Sequence, residues 1–115
     1  MLGYWKPHAD YQLNVRHYLS RYYTFHPKLL SGYYDIMSKL WLLDLDLLKP
    51  VIAPYYSSTG RPAEYQPEMY RAFLIMNDLH IPLNDWPDRL ADSPILHVLT
   101  GFPEGYYPSI VSYYD

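Results

Sequence analysis

The sequence predicts an all-α fold, a small bundle of about five to seven helices with a helix-turn-helix-like carboxy-terminal part. Three observations carry this. Apolar residues recur at helical spacing through most of the 115 residues, no stretch alternates at period two, and proline and glycine sit where helices start and stop. With half its residues apolar and 18% aromatic, the chain can bury a core, and its length suits a single domain over 1–115.

The first helix is expected over Asp10 to Thr24. Tyr11, Val15, Tyr18, Leu19 and Tyr22 share one face, and Arg16, His17, Ser20, Arg21 and Thr24 line the other. Pro27, at a first-turn position, opens a second helix through Leu29, Leu30, Tyr33, Ile36, Met37 and Leu40 towards Trp41, which Gly32 weakens only slightly. Asp44 or Asp46 can cap a short third helix over Leu47, Leu48, Val51 and Ile52, with Pro54 as its stop. The pattern lapses between Tyr55 and Gln66. There Ser57-Ser58-Thr59-Gly60-Arg61-Pro62 reads as an exposed turn and internal hinge between two halves.

Pro67 restarts a helix whose Met69, Tyr70, Ala72, Phe73, Leu74, Ile75, Met76 and Leu79 leave a thin polar stripe at Glu68, Arg71 and Asp78. A helix apolar nearly all round is expected at the centre of the fold. Asn84 or Asp85 begins a short helix with Pro87 in its first turn. Ser93-Pro94 starts another, which runs to Thr100 and stops at Gly101. Pro108-Ser109 opens a last helical segment, which stops at Asp115 before one amphipathic repeat is complete, as in a truncated domain.

Composition narrows the function. The chain has no cysteine, which removes disulfides, thiolate zinc sites and cysteine nucleophiles and fits a reducing compartment. It shows no signal-peptide pattern and no run of the roughly 18 apolar residues that span a bilayer, so a cytoplasmic protein without membrane partners is expected. Net charge is −3, but Met1 to Gly60 holds six Lys/Arg against four acids (+2), while Arg61 to Asp115 holds three against eight (−5). Any nucleic-acid face should therefore draw on the first half. The 15 tyrosines, each a large ring with a hydroxyl that needs a partner, suit half-buried surfaces and interfaces.

No catalytic set is expected. Asp44-Leu45-Asp46 offers two neighbouring carboxylates, but two-metal chemistry needs convergent ligands, and a helix cap with a solvated acid explains the pair. The five histidines show no zinc-ligand spacing, and there is no glycine-rich phosphate loop and no nucleophile motif around a serine; neither metal nor cofactor is expected. On the binding side, Arg16, Arg21 and Lys28 can lie along phosphates with Tyr23 beside them, and Arg61, between Gly60 and Pro62, is presented for entry into a minor groove. Asp85, Asp88 and Asp92 argue against the helix after Asn84 as a DNA reader. The segment beginning at Ser109, with Ser109 and Ser112 at its amino end, is the better recognition candidate.

Several of these pieces occur together in a known order. The stretches Leu19-Ser20-Arg21-Tyr22-Tyr23-Thr24-Phe25-His26-Pro27, Tyr56-Ser57-Ser58-Thr59-Gly60-Arg61-Pro62-Ala63, Tyr70-Arg71-Ala72-Phe73-Leu74-Ile75-Met76, Leu99-Thr100-Gly101-Phe102 and Pro108-Ser109 resemble the amino-terminal domain of bacterial insertion-sequence DDE transposases. The resemblance implies a helical, non-catalytic module for DNA recombination that binds double-stranded transposon ends and helps assemble the complex. It also implies that catalysis belongs to a separate ribonuclease-H-like domain carrying three metal-binding acids. Expected partners are therefore transposon-end DNA, the catalytic domain of a transposase and a second copy in a homodimer. The rival expectation is a protein-interaction or dimerisation module without DNA binding, since Tyr and Trp also anchor protein interfaces.

Overall fold

The computed structural model describes residues 3–25, 28, 31–55 and 64–113, with residues 22–25 and 55 given by backbone alone. Among the described residues the regular structure is α-helix and short 3₁₀ turns, with no strand. The helices are α1 (His8–Phe25), α2 (Tyr34–Leu42), α3 (Lys49–Ile52), α4 (Gln66–Leu79), α5 (Trp86–Asp92) and α6 (Pro94–Thr100). The 3₁₀ turns are Leu45–Leu48, Ala53–Tyr55 and Ile110–Tyr113. None of the helices is long and apolar enough to cross a membrane.

α1 starts two residues ahead of the expected Asp10 because its first turn is held from both sides. The Pro7 carbonyl accepts from the amides of Asp10 and Tyr11, and the Asp46 carboxylate accepts the His8 amide at 3.0 and 3.2 Å. Its inner face is the expected one, with Tyr11 and Val15 buried and Leu19 packed against the core. The Tyr11 hydroxyl, enclosed by protein, donates to the Leu99 carbonyl at 2.6 Å and so fastens α1 to α6.

The second helix differs from expectation. Gly32 and Tyr33 form a turn, and α2 begins only at Tyr34. Glycine loses the most conformational freedom in a helix, and this one sits where Ser31 already turns its hydroxyl back onto the Lys28 carbonyl. Ile36 and Leu40 of α2 enter the core. Lys39 links α2 to α4 by pairing with Asp78 at 2.6 Å and also pairs within α2 with Asp35 at 3.0 Å.

The third helix is a mixed run of 3₁₀, α and 3₁₀ turns, and Pro54 lies inside its last turn without ending it. Early positions of a turn leave the amide without an intrahelical acceptor in any case, so proline costs little there. Among the described side chains of this run only Leu45 is buried, while Leu47 and Val51 stand in solvent. Of the hinge expected near residues 55–66, residues 56–63, including Arg61, lie outside the described residues.

α4 is the largest departure in packing. Two of its three expected polar-stripe residues are turned inward, Glu68 at 2% and Arg71 at 1% exposure, while Asp78 stays half-buried beside Lys39 and Phe73 and Leu74 are exposed. The reason is the neighbouring surface: the Arg71 guanidinium carbon lies 3.6 Å from the centre of the Tyr11 ring on α1, a cation–π contact. Left-handed residues bracket the helix, Tyr65 (φ 59°) before it and His80 (φ 56°) after it. The Tyr65 ring packs on Tyr106 at 4.5 Å and on Phe102 at 6.3 Å.

α5 and α6 meet at a single residue, Ser93, whose hydroxyl caps α6 by accepting the Leu96 amide. Gly101, at φ 89°, ends α6 as expected. α6 packs against α1, α4 and α5 and is the hub of the core, with Ile95, Leu96, Leu99 and Thr100 buried. The described part of the segment after Pro108 forms a 3₁₀ turn, Ile110–Tyr113, tighter than the α-helix the pattern implies. Its Tyr113 is buried, accepts the Trp86 indole at 2.8 Å and meets the Phe73 ring edge-on. Burial pushes the Tyr113 hydroxyl pKa up to about 12.

Candidate functional site

The outward face of α1 is the surface on which the expected DNA-contact residues gather. Arg16, His17, Ser20 and Arg21 are all exposed, opposite the buried Tyr11 and Val15. From Tyr11 to Tyr34 the sequence contains no Asp or Glu, so every formal charge in that stretch is positive: Arg16, Arg21 and Lys28. Five residues of α-helix separate Arg16 from Arg21 by about 7.5 Å along the axis and about 140° around it, so the two flank the outward side of the helix. Lys28 is exposed in helical backbone beyond the end of α1. Tyr23 has its backbone on α1, but its side chain and all of Arg61 lie outside the described residues.

Three other cations are differently employed. Lys39 is paired with two aspartates, Lys6 donates to the Gly101 carbonyl at 3.1 Å, and Arg71 is buried, while Lys49 is exposed at the start of α3. Arg89 is exposed on α5 among exposed Asp85, Asp88 and Asp92, where the local charge is negative. Ser109 is exposed, but Ser112 is half-buried on the 3₁₀ turn that docks against Trp86. The structure therefore leaves Arg16 and Arg21 exposed at the two margins of the outward side of α1 and places Ser109 and Ser112 on a different element.

Asp44 and Asp46 act as caps. Asp44 accepts the Asp46 amide at 2.9 Å and starts the 3₁₀ turn. Asp46 accepts the Trp5 indole at 3.0 Å as well as the His8 amide, joining the amino-terminal segment to a turn 38 residues away. His8 completes the junction by donating Nε2–H to the Trp41 carbonyl at 2.8 Å. Among the described residues no group of three His, Asp or Glu side chains could hold a metal ion.

Two features escaped the sequence. One is the buried Glu68–Arg71 pair beside Tyr11. Burial pushes the Glu68 carboxyl up and the Arg71 guanidinium down from their ordinary pKa values, and Glu68 Oε2 and all three guanidinium nitrogens have no hydrogen-bond partner. The other is an open apolar groove of about 370 Å³ between α1 and α2, lined by Val15, Leu19, Tyr34, Met37, Ser38, Trp41 and Leu42. A signal for the groove does exist in the spacing 34, 37, 38, 41, 42, a second helical stripe on α2 beside the one that fills the core.

No protein-family profile, curated protein or solved structure matches the chain.

Proposed function

We propose that this chain is a non-catalytic, helical module of an insertion-sequence DDE transposase, which holds double-stranded transposon-end DNA against α1 and takes part in assembling the complex. The observation that carries the DNA reading is the outward face of α1, where Arg16 and Arg21 are exposed and no acid intervenes although the whole protein is net negative. Phosphate contacts from such a face position DNA without reading its sequence. Cutting and joining are assigned to a separate catalytic domain, in line with the employment of Asp44 and Asp46 as caps.

Titration of a labelled duplex at several salt concentrations tests this. With Arg16, Arg21 and Lys28 as the phosphate contacts, log affinity should fall with log salt at a slope of about −3, and Arg16→Ala or Arg21→Ala should each flatten it by roughly one unit. Binding should be weak, with a dissociation constant on the order of micromolar or higher, because few phosphates are neutralised. Absence of duplex binding at low salt, or a slope unchanged in the Arg16→Ala, Arg21→Ala double variant, overturns the reading.

A further inference from the structure

α2 has two apolar faces, and the fold uses one. Ile36 and Leu40 fill the core, whereas Tyr34, Trp41 and Leu42 remain 55%, 36% and 80% exposed along the groove shared with Val15 and Leu19 of α1. We propose that this groove is a self-association surface, on which a second copy of the chain docks with its α2 antiparallel to the first about a two-fold axis through Ser38.

Three properties favour a second copy as the occupant. The surface is self-complementary. Ser38 lies four residues from both Tyr34 and Leu42, so an antiparallel pairing centred on it sets the projecting Leu42 of each copy beside Tyr34 of the other. Such exchange of the same patch is the geometry of a closed two-fold dimer. The small side chain of Ser38 also lets the helix axes approach to the ~8–10 Å of packed helices, and the four helices α1, α2 and their copies then form one bundle layer.

The lining also carries no charged side chain. A charge on the two-fold axis would face its own copy, and the residue there, Ser38, is neutral, as is the rest of the lining. The same neutrality disfavours phosphate or nucleic acid as an occupant.

The area suits a weak, reversible association. The exposed parts of Tyr34, Trp41 and Leu42, with the groove walls, amount to roughly 400 Å² per copy, so a dimer that covered them fully would bury about 800 Å² in total, in the range of weak and transient interfaces. This inference does not depend on DNA contact, since Arg16 and Arg21 face outward from α1.

The absence of cysteine allows a direct test. In Ser38→Cys the two new thiols face each other at the axis, so mild oxidation should give a disulfide-linked dimer in high yield. His17→Cys, on the outward face of α1, should give little. Analytical ultracentrifugation of the unmodified chain should show a concentration-dependent dimer that Leu42→Asp weakens at least about tenfold. Because Leu42 is exposed, that variant should keep its helical circular dichroism and melting temperature; Tyr34→Glu, also at an exposed position, provides an independent check. A chain monomeric at every attainable concentration overturns the proposal and leaves the groove to a different protein. Equal cross-linking of Ser38→Cys and His17→Cys, or a dimer indifferent to both Leu42→Asp and Tyr34→Glu, also overturns it.

Discussion

Replacing Gly101 by alanine probes the tightest junction in the molecule. Gly101 ends α6 at φ 89°, a left-handed conformation that costs an L residue about 1–2 kcal/mol. An added Cβ would also lie 3.0 Å from Cδ2 of Tyr11 and 3.2 Å from a guanidinium nitrogen of Arg71. Neither neighbour yields easily, because Tyr11 is tied by its hydroxyl to the Leu99 carbonyl and Arg71 is stacked on the Tyr11 ring. Overpacking of that kind adds about 1–3 kcal/mol, so Gly101→Ala should destabilise the domain by about 2–5 kcal/mol in all. At roughly 4 °C per kcal/mol for a domain of this size, the melting temperature should fall by about 8–20 °C. Gly105 supplies the internal control. It has φ 83°, but an added Cβ there meets nothing within 4 Å, so Gly105→Ala should cost only the conformational part, about 1–2 kcal/mol. Paired urea and thermal unfolding followed by circular dichroism would separate the two contributions. Equal losses for the two variants would refute the close packing of Gly101 against Tyr11 and Arg71.

Two other perturbations address buried polar groups. Glu68 has its carboxyl pKa raised, first by burial, so the folded state holds its proton more tightly than the unfolded chain does. The resulting cost is absent below the ordinary value of 4.5, grows as pH rises towards the folded pKa, and is constant above it. Glu68→Gln should therefore match the parent at acid pH and exceed it in stability at neutral pH; a parallel pair of stability–pH curves would contradict this. Asp46→Ala should cost about 2–4 kcal/mol, because it removes the cap on α1 and strands the buried Trp5 indole, whereas Asp44→Ala should cost about 1 kcal/mol or less. Chemical denaturation with tryptophan emission as the probe checks the difference, and similar losses for the two variants would remove Asp46 from its assigned role.

Legibility in the sequence followed the range of the interaction responsible. The inner face of α1, with Tyr11, Val15 and Leu19, and the stop at Gly101 depend on spacing and local backbone geometry, and both were readable. The cap at Ser93 was readable for the same reason. The break at Gly32 was not, because a glycine inside a helical pattern is tolerated or not according to its surroundings. Burial of Arg71 was wholly tertiary: nothing on α4 announces that Tyr11, 60 residues earlier, offers the face of its ring. Asp46 is a similar case, a carboxylate readable as a local cap that instead serves a helix start 38 residues away. For the candidate DNA face the residue types and the helix were legible in Arg16 and Arg21, whereas the diversion of Lys6, Lys39 and Arg71 to structural contacts required the fold.

The same helix links the two proposed surfaces. α1 is amphipathic in three sectors, with Tyr11 directed to α4 and α6, Val15 and Leu19 forming one wall of the groove, and Arg16 and Arg21 outward. Its position is fixed at the start by Asp46 and along its length by the Tyr11 hydroxyl and the stacked Arg71. A two-fold pairing through the groove would therefore set two outward α1 faces in a fixed mutual orientation. Each face alone neutralises few phosphates, but two rigidly joined faces bind with the effective concentration of a tethered pair, which raises avidity without any new contact. On this basis Leu42→Asp, which touches no cation, should weaken binding to a duplex long enough for both faces while leaving binding to a duplex that fits one face unchanged. If both duplexes lose affinity equally, the two surfaces are not coupled in this way.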